Sequence, residues 1–211
     1  LHKALNSGHN DHNYFEIAHS IRRQFDANGG IYRGLRLYSF VDNHDVDRIA
    51  SKLNIAGHIY PVYTLLFTLP GIPSIYYGSE WGIQGKKVGG NDDPLRPAVD
   101  LKQALKAVPD PVLLEWIKTL GRIRKEHKAF INGRYQELLL TNRQYAFARL
   151  LEEECVLVAV NNDEKEASLS IRLPLQNRSW YDLIHGKSLQ EDSGYLRIVL
   201  APNESFLAVN R

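Results

Sequence analysis

Methionine is absent from all 211 residues, cysteine occurs once, and charge of neither sign prevails, with 26 Lys and Arg against 24 Asp and Glu. A translated chain starts with methionine, and Leu1 is too large to follow an initiator that is normally removed. The chain is therefore expected to be the C-terminal part of a longer protein. The lone Cys155 has no partner for an internal disulfide and lies in an apolar, strand-like run. It is expected to be an inert buried thiol, which fits a reducing, cytoplasmic setting. The formal charge of +2 is scattered and forms no basic stripe, so nucleic acid is excluded as a partner. The longest apolar stretch, residues 60–77, is broken by Pro61, Pro70, Gly71 and Pro73, which argues against a membrane span.

The chain that remains reads as a folded α/β segment followed by an all-β one. Residues 1–12, rich in His, Asn and Gly, are expected to form a loop. Asn13 and Glu16 have the spacing of a capping box, and Phe15, Ala18, Ile21 and Phe25 follow at helical intervals. This predicts a helix over 13–26, stopped by Asn28-Gly29-Gly30. A strand over 36–41, a helix over 57–69 and a strand over 72–77 come next. A Gly- and Asp-rich loop runs to Pro97, and a long helix over 111–128 opens with proline in its first turn. After Gly133 the period changes from 3.6 to 2. Short strands are predicted at 135–140, 144–151, 155–161, 166–173, 178–183, 195–200 and 205–210, the pattern of an antiparallel sandwich. The expected domains are residues 1–128 and 129–211.

Two strand ends carry chemistry. Leu37-Tyr38-Ser39-Phe40-Val41 runs directly into Asp42-Asn43-His44-Asp45, an apolar stretch ending in four polar side chains. The carboxyl ends of buried parallel strands are where α/β barrels place their reactive groups. An isolated His-Asp pair is more often a surface turn or a helix cap, and its place after a strand favours a site instead. The second strand delivers Ser79, Glu80 and Trp81 in the same way, although Glu80 has an equal reading as a structural partner for a loop. Arg48, Asp47 and Asn54 read as scaffold. His2, His9, His12 and His19 lack zinc-like spacing, so no metal is assigned to them.

The segment Phe40-Val41-Asp42-Asn43-His44-Asp45 resembles the Phe-x-x-x-His-Asp motif of the α-amylase family of glycoside hydrolases. Residues 70–80, from Pro70-Gly71-Ile72-Pro73 to Tyr76-Tyr77-Gly78-Ser79-Glu80, resemble the stretch entering that family's eighth barrel strand. Asn91-Asp92-Asp93-Pro94-Leu95-Arg96-Pro97 resembles the loop after it, with Asp93 leaving the alignment ambiguous. The resemblance extends to bacterial α-amylase, neopullulanase and cyclomaltodextrinase-like members. Gly34-Leu35-Arg36-Leu37 imitates the family's nucleophile segment, but Tyr38 stands where the aspartate belongs.

The resemblance implies the C-terminal part of a (β/α)8 barrel followed by an antiparallel β-sandwich, α/β plus all-β. It implies a retaining α-glucan hydrolase acting on α-1,4 bonds in starch, maltodextrin or cyclodextrin. Asp45 would be the third catalytic acid and His44, Asp92 and Arg96 sugar ligands, while the nucleophile, the general acid and the family's calcium site would lie upstream. No cofactor is expected in this chain. A transglycosylase on the same scaffold and a noncatalytic binding module remain alternatives. Open barrel edges are expected to promote self-association.

Overall fold

The computed structural model describes residues 2–26, 29–104, 106 and 108–211. Leu1 and Asn28, which enter the sequence argument, lie outside the described residues. Helix α1 (His2–Asn10) and helix α2 (Tyr14–Phe25) lead to strand β1 (Tyr38–Ser39), and α3 (Ile49–Lys52) and α4 (Ile59–Thr68) connect it to β2 (Ile72–Pro73). Helices α5 (Leu101–Ala104), α6 (Pro111–Glu126) and α7 (Ala129–Asn132) precede eight further strands. These are β3 (Arg134–Leu140), β4 (Gln144–Leu151), β5 (Glu154–Asn161), β6 (Ala167–Arg172), β7 (Trp180–Asp182), β8 (Ser188–Leu189), β9 (Tyr195–Leu200) and β10 (Ser205–Asn210). No helix among the described residues is long and apolar enough to cross a membrane.

The helical predictions hold for α2, α4 and α6, and every predicted sandwich strand is present; β8 is an addition. Two expectations near the N-terminus are corrected. Residues 2–10 form a helix rather than a loop, because Leu5 and His9, one turn apart, are both fully buried and α1 packs along α2. Burial here overrides a weak local propensity. The Asn13 side chain makes no capping bond, and Glu16 instead accepts from Ser7 Oγ at 2.6 Å. Pro111 opens α6 as expected, and Asp110 caps it by accepting from the Leu113 amide at 2.9 Å.

Strands β1 and β2 are parallel neighbours, Tyr38 opposite Ile72 and Ser39 opposite Pro73. They are much shorter than predicted and not buried on both faces: Ser39 is buried, whereas Tyr38 is 68% and Ile72 48% exposed. Each has one pairing partner among the described residues, so the ladder dies out after two residues.

The main sheet has the order β3-β4-β5-β10-β7-β8, and β6 pairs with β9 in a second, two-stranded sheet. Alternation along the central strands sends residues to two cores. Tyr145, Phe147, Val156, Val158, Val160, Leu207 and Val209 face the helices, in one cluster with Leu5, Ile17, Leu66 and Leu120. Ala146, Ala148, Leu157, Ala159 and Ala208 face β6 and β9, where Leu169, Ile171, Leu196 and Ile198 fill the space. The run of alanines lets the small sheet lie close. Cys155 is buried in this second core, and burial pushes its thiol up to about 12, so it is protonated and unreactive.

Two polar contacts organise the joints. Arg48, fully buried, donates from Nε to Leu95 O at 3.0 Å and from Nη1 to Tyr77 O at 2.7 Å and Ser79 Oγ at 3.0 Å. Its Cζ lies 4.2 Å from the centroid of the Tyr76 ring, so a π face covers the cation that Nη2, lacking a hydrogen-bond partner, would otherwise leave exposed to apolar surroundings. At the joint between helices and sheet, His58 Nε2 and His12 Nδ1 each lie 3.1 Å from Asn162 O. His9 donates from Nδ1 to Leu5 O at 2.6 Å, which leaves Nε2 to accept from Tyr14 Oη at 3.3 Å. Burial pushes His9 down to about 3, and burial likewise lowers His58.

Arg48→Ala should free the Leu95 and Tyr77 carbonyls and cost about 3 kcal/mol, the scale for breaking a buried, hydrogen-bonded cation. Limited proteolysis should then cut residues 83–97 faster than in the wild type, and unchanged cleavage would refute the role. A second expectation concerns acid. The native state keeps His9 neutral down to about pH 3, whereas the unfolded chain binds a proton near the ordinary histidine value of about 6.5. Below that value the unfolded state holds more protons, so stability falls as pH drops. His9 alone should contribute about 2 kcal/mol of loss between pH 7 and pH 5. Urea denaturation at both pH values should show a smaller loss for His9→Gln; an identical loss would mean that other groups carry it.

Candidate active site

The exit from β1 is built around a buried carboxylate. Asp42 Oδ2 accepts from the Ile49 amide at 2.8 Å, and both Asp42 oxygens accept from Ser79 Oγ at 2.9 and 2.8 Å. Burial raises the Asp42 pKa, opposed by these hydrogen bonds and by Arg48. Ser79 accepts from Arg48 while donating to Asp42, so the hydroxyl bridges a buried cation and a buried carboxylate across the ends of both strands. One residue on, Asn43 Oδ1 accepts from the amides of Asp45 at 2.9 Å and Val46 at 3.2 Å. That Asx turn reverses the chain and directs the next two side chains outward. His44 and Asp45 each keep 58% of their side-chain surface open.

Arg96 joins the two loops. Its Nε donates to His44 O at 3.1 Å, and its Nη2 lies 3.2 Å from both Asp45 Oδ1 and Asp92 Oδ2. His44 Nε2 lies 3.3 Å from Asp45 Oδ2. Asp92 also receives Lys87 Nζ at 2.8 Å. The Lys87 hydrogen bond, helped by the nearby charges of Arg96 and His44, holds the Asp92 carboxyl below its usual range. Each exposed pair is worth little by itself. Together they set direction: Arg96 is fixed by a backbone carbonyl and two carboxylates, and Asp45 keeps open surface beside it.

The four residues singled out in the sequence, His44, Asp45, Asp92 and Arg96, are thus brought into one cluster. Of the two neighbouring aspartates, Asp92 pairs with Arg96, and Asp93 is exposed without an ion pair among the described residues. Glu80 does not join: it sits in a short 3₁₀ turn beside the buried Trp81, and its Oε2 is buried with no hydrogen-bond partner among the described residues. His2 stacks on Phe40 at 5.2 Å and His19 is exposed on α2, apart from the His9–His12–His58 group. Among the described residues no group of three or more His, Cys, Asp or Glu side chains is placed to hold a metal ion.

Sequence reasoning missed Lys87 and Tyr76, and gave Arg48 and Asp47 only a generic scaffold role. Tyr76 lies 6.3 Å from the His44 ring and covers Arg48. Asp47 Oδ1 accepts from the Lys87 amide at 2.7 Å, tying the two loops together. Lys87 carried no signal, because nothing in its neighbourhood distinguishes it from Lys86. Gly85 is a structural constraint: a Cβ there would lie 2.4 Å from Pro94 O, so only glycine permits this approach of the two loop arms.

A family model described as the α-amylase catalytic domain matches residues 20–112, and one described as the maltogenic amylase C-terminal domain matches residues 135–207. The chain is 25% identical over 179 residues to neopullulanase 2 of Thermoactinomyces vulgaris, covering 82% of this chain and 29% of that protein. It is 32% identical over 130 residues to a cyclomaltodextrin glucanotransferase of Thermoanaerobacterium thermosulfurigenes, covering 60% of this chain and 16% of the relative. The crystal structure of Geobacillus thermoleovorans α-amylase complexed with acarbose superposes with a TM-score of 0.80 at 21% identity, over 98% of this chain and 46% of that one. The chain therefore spans less than half the length of each of these proteins. With one model on its helix-and-strand part and the other on its sheets, the chain carries part of an α-amylase catalytic domain followed by a maltogenic amylase C-terminal domain.

Proposed function

We propose that this chain is the C-terminal portion of a retaining α-glucan hydrolase, with residues 1–128 belonging to the catalytic barrel and 129–211 forming the C-terminal sandwich domain. Its substrate class is the α-1,4-linked glucan: starch, maltodextrin or cyclodextrin. The observation that carries this reading is the Arg96 guanidinium, 3.2 Å from both Asp45 and Asp92 at the end of β1.

Retaining hydrolysis needs a nucleophilic carboxylate and a general acid about 5–5.5 Å apart across the anomeric carbon. In this reading both lie upstream and Asp45 is neither. Asp45 accepts hydrogen bonds from the 2- and 3-hydroxyls of the sugar being cleaved. Those bonds strengthen as the ring flattens toward an oxocarbenium ion, so they favour the transition state over bound substrate. Arg96 aims the carboxylate, His44 offers a ring nitrogen to a neighbouring hydroxyl, and Asp92 with Arg96 orients the adjoining sugar. No cofactor is assigned to this chain, with the calcium ligands upstream. The buried thiol is consistent with a cytoplasmic setting. The free edges of β1 and β2, with exposed Tyr38 and Ile72, support self-association.

The cyclomaltodextrin glucanotransferase relative favours a second reading, transglycosylation on the same scaffold. The two differ in whether water or a sugar hydroxyl takes the glycosyl group in the second step, and the residues described serve either.

Asp45→Asn in the enzyme that includes the upstream acids should leave folding intact and lower kcat by about three orders of magnitude, since the amide keeps the shape and loses the charge. Steady-state kinetics on maltooligosaccharides decide it, and a variant with half the wild-type kcat removes Asp45 from the catalytic set. The 211-residue chain alone should release no reducing sugar from starch. Release by the purified chain would overturn the assignment of Asp45 as a third acid only.

A further inference from the structure

The strands that deliver Asp42 and Ser79 at their carboxyl ends open, at their amino ends, onto a cavity of about 360 Å³. The segment before β1 supplies Arg33 and Arg36, β3 supplies Arg134, and β4 supplies Arg149. No Asp or Glu is among its lining residues. Among the described residues, none of these arginines makes an ion pair, and Glu137 on β3 is paired with Arg22 at 3.6 Å. Arg33 has no side-chain partner there, Arg36 donates to Asn132 Oδ1 at 2.5 Å, and Arg134 donates to Gln136 Oε1 at 3.0 Å.

Arg149 is the unusual member. It is only 2% exposed and, among the described residues, is met by neutral acceptors alone, Thr68 O at 2.7 Å and Gly133 O at 2.8 Å, while its Nε has no hydrogen-bond partner among them. Just behind the wall, Arg124 donates to Phe67 O and to Gly71 O at 2.6 Å, again without a carboxylate. Burial, with the charge of Arg124 added, pushes Arg149 down to about 9, and burial pushes Arg124 down to about 10. Two desolvated cations that repel each other are costly unless a counter-charge is supplied. Guanidinium groups match the oxygens of phosphate and its esters in planar, paired hydrogen bonds.

We propose that this cavity binds a tetrahedral oxyanion of the phosphate class, either free phosphate or the monoester of a small sugar. The bound anion is clamped between the Arg33–Arg36 segment and the Arg134 and Arg149 side chains of the main sheet. The Gly34-Leu35-Arg36 motif, which resembles a nucleophile segment without its aspartate, thereby gains a role in binding.

Calorimetric titration of the 211-residue chain, with ionic strength held constant by chloride, tests this with inorganic phosphate, glucose 6-phosphate and glucose as separate titrants. Saturable one-to-one binding of phosphate or of the sugar phosphate, and none of glucose, is the expected result. The tighter of the two anions identifies the source. Arg33 and Arg36 are exposed, so Arg33→Ala with Arg36→Ala should fold normally and bind at least about tenfold more weakly. Lys165→Ala, on a distant turn, should bind like the wild type. Absence of saturation by either anion, or equal affinity in the double variant, would overturn the proposal.

Discussion

The guanidinium of Arg48 lies fully buried beneath the loop that carries Asp92 and Arg96, and the cluster around Asp45 depends on where that loop is held. Arg48 reaches Leu95 on the loop, Tyr77 beyond β2, and Ser79, which in turn donates to Asp42 beyond β1. One cation therefore ties three segments far apart in the chain. A loop that is mostly exposed has little apolar burial to hold it, so hydrogen bonds to a desolvated charge are what define its position. The surface ion pairs of Arg96, Asp45, Asp92 and Lys87 then add orientation on a base already fixed.

The main sheet plays the corresponding part for the rest of the chain. Its central strands are buried on both faces, one against α1, α2, α4 and α6 and the other against β6 and β9. The helices that carry β1 and β2 into place therefore rest on the same sheet that forms the C-terminal domain. Contacts such as Thr64 Oγ1 to Ser205 Oγ at 2.9 Å and the two histidines on Asn162 O sit across that boundary. Parallel strands with few partners are stabilised here from beneath, through their helices, more than by their own two-residue ladder.

The two arginine-rich environments of the molecule differ in one respect with physical consequences. Arg48 is balanced through Ser79 by Asp42 and covered by an aromatic face, whereas among the described residues Arg149 and Arg124 meet only carbonyl oxygens. The first arrangement is complete within the chain. The second is short of negative charge, and that difference gives the cavity beside Arg33 and Arg36 its affinity for an anion.

Much of this was legible in the residue order, because its signals are local. Period-two alternation located the strands of the sandwich, helical spacing located α2, α4 and α6, and the passage from apolar strand to His44 and Asp45 marked the strand exit where the Arg96 cluster forms. The fold class followed from the same patterns joined to the family resemblance. Tertiary structure alone decided that residues 2–10 are helical, since Leu5 and His9 gain burial only once α2 and the sheet are in place. It also paired Arg96 with Asp92 rather than Asp93, brought Lys87 to Asp92, and placed Arg149 beside Arg124 with no carboxylate partner among the described residues. Those outcomes depend on which charges meet across dozens of residues and how much water is excluded between them, quantities that no local pattern of side chains encodes.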